Sequence, residues 1–300
     1  MFRRDWNCSE YQQYLKVYAL SPQNMPLAGY SNMAGFPSVS WEPAQLAAFV
    51  TIYLSQEVLK FDPEMKIITN ENTEIPTAFY ELFQDEMESI VRNHTNLDIN
   101  NINWYGMHEN FLDNAPGFWT MIAQLDSIET KPAYTDVMKE LGSSENNEDY
   151  LGNWSLGERY ARSIIKALNT NSSFWIDGNI ALNQRGGPSW VGKYAVSTIM
   201  TDDADPSIFY KNPSFYTIGQ VSKFIQPNAL VHRHKPAQNT AFKNYVEYAV
   251  ADNPDGVRVA VFSNRHNETL TVNYFDADNK QELAIDLEAD SVQTIYYSLR

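Results

Sequence analysis

The side chains best suited to chemistry are carboxylates and aromatic rings at the ends of short apolar runs. Lys131-Pro-Ala-Tyr-Thr-Asp-Val-Met138 is one such run, interrupted by Asp136. A carboxylate ending a buried strand can attack an electrophilic carbon or shuttle a proton. Other run ends carry Ser31, Asn32 and Met33; Asn70 and Glu71; Trp104, Tyr105 and His108; and Asp177, Gly178 and Asn179. Polar groups mixed with rings suit a sugar, which offers hydroxyls to hydrogen-bond and C–H faces to stack. Each residue also has a plainer use: Asp136 can cap a helix, Trp104 and Tyr105 can fill a core, and Asp177 can tie down a loop. His94, His108, His232 and His234 lack the paired spacing of metal ligands on a helix, and His232-Arg-His234 reads as surface. There is no nucleophile elbow, no Ser–His–Asp order and no phosphate loop, and Gln184–Trp190 fits no phosphate-binding pattern despite its two glycines. No metal and no cofactor are expected.

The elements that must position these residues alternate along the first three-quarters of the chain. Residues 25–32, 64–71, 99–106, 131–137 and 172–182 read as strands. Residues 41–61, 77–94, 115–129 and 155–170 carry helical periodicity. Pro43 and Pro116 fall in first turns, where proline is tolerated. Ser155, with Glu158 three residues on, reads as a helix N-cap. Such alternation argues for parallel strands with crossover helices, whose functional groups gather at the strands' carboxyl ends. Five such units are visible, and a closed (β/α)8 barrel takes about 250 residues. Either strands are hidden or the barrel is incomplete. After residue 238 the pattern becomes short alternating β runs with turn signals at Asn253–Gly256 and Asp276–Asn279. The expected organisation is an α/β body over 1–238 and an antiparallel β-sandwich module over 239–300.

Composition narrows the function. The chain has 300 residues, 43% of them hydrophobic and 20% charged, with a net charge of −15. That balance argues against a nucleic-acid binder, which normally shows a basic face. The single cysteine, Cys8, excludes an internal disulfide and a thiolate metal cluster. No apolar run approaches the roughly 20 residues that span a bilayer. The start lacks the apolar core of a signal peptide. Five Asn-x-Ser/Thr sequons, at Asn7, Asn93, Asn153, Asn171 and Asn267, point instead to a secretory ancestry.

Three blocks carry a family resemblance: 151–165 (LGNWSLGERYARSII), 174–194 (FWIDGNIALNQRGGPSWVGKY) and 209–225 (FYKNPSFYTIGQVSKFI). In this order and at these gaps, the chain resembles glycoside hydrolase family 30, in its glucosylceramidase (acid β-glucosidase) branch. Weaker similarity extends over about residues 10–300. The resemblance implies a retaining glycosidase with a (β/α)8 barrel and a β-sandwich. This chain would hold about strands four to eight of the barrel and the C-terminal sandwich strands. The family's Asn-Glu-Pro motif at the end of strand four matches "YSNMAG", which sets Asn32 at the motif's Asn and Met33 at the acid/base position. The nucleophile position at the end of strand seven reads Asp136 instead of Glu. Tyr105 matches a substrate-pocket tyrosine, with Trp104 beside it. A glucose-lining Trp is replaced by Gly178, while Asp177, Asn179 and Asn183 are kept. A pocket Asn reads Lys193.

Retaining hydrolysis needs two carboxyl groups about 5–5.5 Å apart. A thioether cannot donate a proton, and losing the general acid costs about 10²–10⁴-fold. Asp withdraws the carboxylate by roughly an ångström relative to Glu, and a misplacement of that size can cost about 10²-fold. Glu71 is the rival acid. Glu145 is a second rival, should the strand-seven register differ. The implied ligand is a glycosphingolipid or β-glucoside, with contact to a membrane surface or an activator protein and a lysosomal or secretory location. The expected activity is impaired hydrolysis. The alternatives are an active β-glucosidase, a non-catalytic glycolipid- or protein-binding relative, and a fragment that needs the missing barrel half. An incomplete barrel would also expose strand edges prone to association.

Overall fold

A computed structural model of the chain describes residues 17–30, 39–72, 77–94, 96–108, 131–205, 207–232 and 245–299. The helix expected over 115–129 lies outside these residues, as do Ser31, Asn32, Met33 and His234. The described residues form two compact units. One runs to Met107 and takes in Lys131; the other comprises His108 and Pro132 onward.

In the first unit β1 (Ala19–Leu20) pairs in parallel with β2 (Lys66–Asn72), Leu20 opposite Ile67. β2 pairs in parallel with β3 (Ile102–His108), Thr69 opposite Tyr105. Over its described part, residues 25–30, the strand expected over 25–32 is not formed. Met25 has a φ of +48° and residues 28–30 make a 3₁₀ turn, so the chain bends where a strand would extend. Pro26 also removes a donor from any ladder. The helical stretch after it is one continuous run in three parts: α1 (Pro43–Ala48), a π-helical segment (Phe49–Leu54) and α2 (Ser55–Phe61). Pro43 sits in the first turn as expected. α3 (Thr77–Asn93) buries Phe79, Phe83, Met87 and Ile90, a stripe at helical spacing, and packs against α1.

In the second unit β4 (Lys131–Val137) and β5 (Trp175–Asp177) pair in parallel, with Val137 opposite Asp177. The strand expected over 172–182 is two: a bend after Asp177 ends β5, and β6 (Ala181–Asn183) joins a separate sheet with β7 (Ile199–Thr201) and β8 (Phe209–Lys211). Between β4 and β5 runs α4 (Trp154–Asn169), whose buried face includes Leu156, Tyr160, Ala161, Ile164 and Ile165. Its N-cap is Asn153 rather than Ser155. The Asn153 side chain accepts the Ser155 N–H at 3.0 Å. α5 (Pro213–Ser222) crosses α4 at Gly157, where a Cβ would meet Pro213 Cβ at 2.7 Å, so only glycine permits this approach.

The C-terminal strands fall close to the expected runs: β10 (Val246–Asp252), β11 (Val257–Asn264), β12 (Leu270–Asp276), β13 (Gln281–Leu287) and β14 (Ser291–Ser298). A short β9 (Leu230–Val231) adds to β10, giving a sheet in the order β14-β11-β10-β9 beside the β12–β13 hairpin. β11 is buried on both faces. Val259 and Val261 pack with Ile164, Ile165 and Val221 of α4 and α5, while Ala260 and Phe262 pack with Ile285 and Leu287. Period-two alternation thus feeds two cores, which is why β11 reads as an unbroken apolar run. Each fully buried Val, Ile or Leu contributes roughly 1.5–3 kcal/mol.

Candidate active site

In the first unit the end of β2 holds the chain that follows β1. Glu71 accepts a hydrogen bond from the Ser21 hydroxyl, and its backbone carbonyl accepts the Met25 N–H at 2.7 Å. Asn72 Oδ1 accepts the Leu27 N–H at 3.1 Å. These bonds lay residues 21–27 over the end of β2, with Asn70 in the left-handed region at φ +55°. Glu71 therefore serves as a strut for this segment. The triplet Asn24-Met25-Pro26 follows the first parallel strand. It keeps both outer residues of an Asn-Glu-Pro motif, a second candidate for that motif beside Asn32-Met33. Met25 stands at the centre of this triplet beyond β1, while Met33 lies outside the described residues. Tyr105 is fully buried, and Trp104 is half-buried with its ring 5.8 Å from that of Tyr18.

In the second unit Asp136 ends β4, as its sequence position suggests. Its φ of +54° takes the residue out of the strand's alternation. The carboxylate is 27% exposed, and Oδ2 lies 3.8 Å from Nδ1 of His108, which is 3% exposed. That is within reach of charge attraction and beyond a hydrogen bond. Asp177, at the end of β5, is committed elsewhere. It accepts the Tyr160 hydroxyl at 3.1 Å and the Thr198 hydroxyl on its other oxygen. Burial raises its pKa, against those two donors and the backbone N–H groups of Asn179 and Gly178. The same burial, with Asp177 alongside, pushes the Tyr160 phenol well above its ordinary range. Tyr160 and Thr198 gave no sign of this role in the sequence, since each reads as ordinary helix or loop.

Asn179 directs its amide to the Met138 sulfur at 3.4 Å. Asn183 closes its own loop, its Oδ1 accepting the Gly187 N–H at 2.8 Å and the Arg185 N–H at 3.1 Å. Lys193 reaches Glu140 at 4.0 Å. Glu145 is held in its loop by the Tyr150 hydroxyl, the Gly142 N–H at 2.6 Å and Lys139 at 3.3 Å. The Tyr150 bond first, then the Gly142 N–H, lower its pKa to about 2. It is an anchored anion away from any strand end. Asp136 and Asp177 both stand at strand ends with partial exposure, but Asp177 is held by the Tyr160 and Thr198 hydroxyls. Among the described residues no cluster of His, Cys, Asp and Glu is arranged to hold a metal, and no helix is long and apolar enough to cross a membrane.

Residues 133–225, which contain Asp136, α4 and the loop after β5, match the glycosyl hydrolase family 30 TIM-barrel domain. The chain is 36% identical over 128 residues to mouse lysosomal acid glucosylceramidase, covering 43% of this chain and 24% of that protein. It is 26% identical over 296 residues to putative glucosylceramidase 4 of Caenorhabditis elegans, covering 95% of this chain and 53% of the relative. Its fold is shared with SrfJ from Salmonella typhimurium at a TM-score of 0.76 and 23% identity, over 97% of this chain and 60% of that one. The matched segment and these relatives make the chain similar to glycoside hydrolase family 30. The curated relatives named above carry the name glucosylceramidase. The chain spans between about a quarter and about half of the length of the relatives named here.

Proposed function

We propose that the chain is a glucosylceramidase-like protein that binds a β-glucoside or glycosphingolipid head group and hydrolyses it slowly or not at all. The observation that carries this reading is the pair of strand-end positions: Asp136 closes β4 where the family resemblance implies Glu, and Met25 occupies the Asn-x-Pro triplet beyond β1. Asp136 can still act as an anion opposite a developing oxocarbenium charge. Met25 offers no proton to a leaving oxygen, and general acid catalysis is worth about 10²–10⁴-fold. Glu71, whose carboxylate accepts the Ser21 hydroxyl, is the rival acid. The relative's lysosomal name favours an acidic compartment for this chain as well.

The test is calorimetric titration with a glucose-configured iminosugar near pH 5, whose ammonium seeks a carboxylate. Binding by the wild-type chain, weakened roughly tenfold or more in Asp136→Asn, is expected, since the variant leaves the ligand's charge uncompensated. Equal binding by both would remove Asp136 from the site and overturn the reading.

A further inference from the structure

We propose that Gly178 is a positioning residue for Asp136: the strand-end carboxylate lies in the volume that a side chain at 178 would fill, so the two positions are sterically locked. The inference rests on Asp136 being the working anion of the proposed site. A Cβ built on Gly178 would lie 2.5 Å from Asp136 Oδ1, closer than real Cβ atoms come, and 3.3 Å from Met138 Cβ. Glycine is not demanded here by the backbone, since Gly178 is not among the residues with positive φ. The close approach of the carboxylate is therefore what requires it. The backbone is also pinned, because the Gly178 N–H donates to the Val137 carbonyl at 2.9 Å. On the other side stands His108, 3.8 Å from Oδ2. Asp136, turned out of the strand by its φ of +54°, rests between His108 and the bare Cα of Gly178.

The two departures from the family pattern in this unit are then one change. An aromatic ring at 178 and the present direction of the Asp136 carboxylate exclude each other. Restoring the ring alone would drive the carboxylate away from β5 rather than add a stacking surface. Asp136 is the far end of a short side chain, so it can rotate when position 178 gains a methyl group, and the fold survives.

The test is a double-mutant cycle of Gly178→Ala and Asp136→Gly in the full chain, glycine being chosen because it accepts a positive φ. Three readouts are taken: the His108 ring resonances by NMR, the melting temperature, and the Kd for a glucose-configured iminosugar. With Asp136 present, Gly178→Ala is expected to move the His108 signal as the carboxylate turns. It should also lower the melting temperature by roughly 2 °C and change the Kd by roughly tenfold. In the Asp136→Gly background the same substitution should leave the His108 signal and the melting temperature in place. Equal effects in both backgrounds, or no effect in either, overturn the lock. Should the wild-type chain fail to bind the iminosugar, the sugar-site reading falls, while the His108 and melting data still decide the steric claim.

Discussion

Asp276→Asn tests how the β module is held together. Arg258, in β11, is 5% exposed, and Asp276, at the end of β12, is 4% exposed. Nη1 of Arg258 donates to Asp276 Oδ1 at 2.9 Å, while its Nε and Nη2 bind Asp252 at 2.7 and 2.9 Å. The Tyr297 hydroxyl donates to Asp276 Oδ2 at 2.6 Å. Burial opposes ionisation of Asp276. The Tyr297 hydroxyl, the Asn279 donors and the Arg258 charge outweigh it and hold the carboxyl at about 2. Relative to an ordinary value of 3.8, that depression contributes about 2 kcal/mol at neutral pH. Because the folded pKa is the lower one, this stability is present above the unfolded value and is lost as pH falls through about 2. The Asn variant keeps the shape and loses the charge. Urea denaturation followed by circular dichroism should show it about 2 kcal/mol less stable near pH 6. The gap should narrow as the pH drops below about 4, where the unfolded acid takes up its proton. No gap near pH 6, or a gap that widens on acidification, would refute the reasoning.

Asp177→Asn should show the opposite pH trend. Burial raises the Asp177 pKa, so its stabilising contribution is present below the unfolded value and is lost as pH rises through the folded one. The wild-type advantage over the variant, measured by thermal melts, should therefore shrink from acid toward neutral pH. Asn153→Ala removes the cap of α4 and should cost about 1 kcal/mol in the same assay. Glu145→Gln should leave iminosugar binding unchanged, because Glu145 is spent on Tyr150, Gly142 and Lys139; a large loss would return it to the site.

Elements with strong periodicity were legible from the sequence. β4 ends at the Asp136–Val137 step that its apolar run suggests, and α4 shows its stripe from Leu156 to Ile165. The turns at Asn253–Gly256 and Asp276–Asn279 delimit real hairpins. What failed was short or set by distant contacts. β1 is only two residues, Ala19 and Leu20, too brief for any period to register, so the apolar stretch after it drew the strand assignment. The Asn24-Met25-Pro26 triplet follows that short strand. The cap of α4 went to Ser155 because Glu158 completed a familiar pattern, while Asn153 makes the bond. The commitment of Asp177 to Tyr160 and Thr198 joins residues 17 and 21 positions away, which no local motif announces.

The most direct measurement of the central claim is turnover of a fluorogenic β-glucoside near pH 5. The purified chain is compared with Asp136→Ala and with the doubly restored Met25→Glu, Asp136→Glu variant. Wild-type turnover at or near that of Asp136→Ala is expected, with a gain in the restored variant of roughly 10²-fold or more from recovering a general acid. Robust wild-type turnover that Asp136→Ala abolishes would contradict the claim.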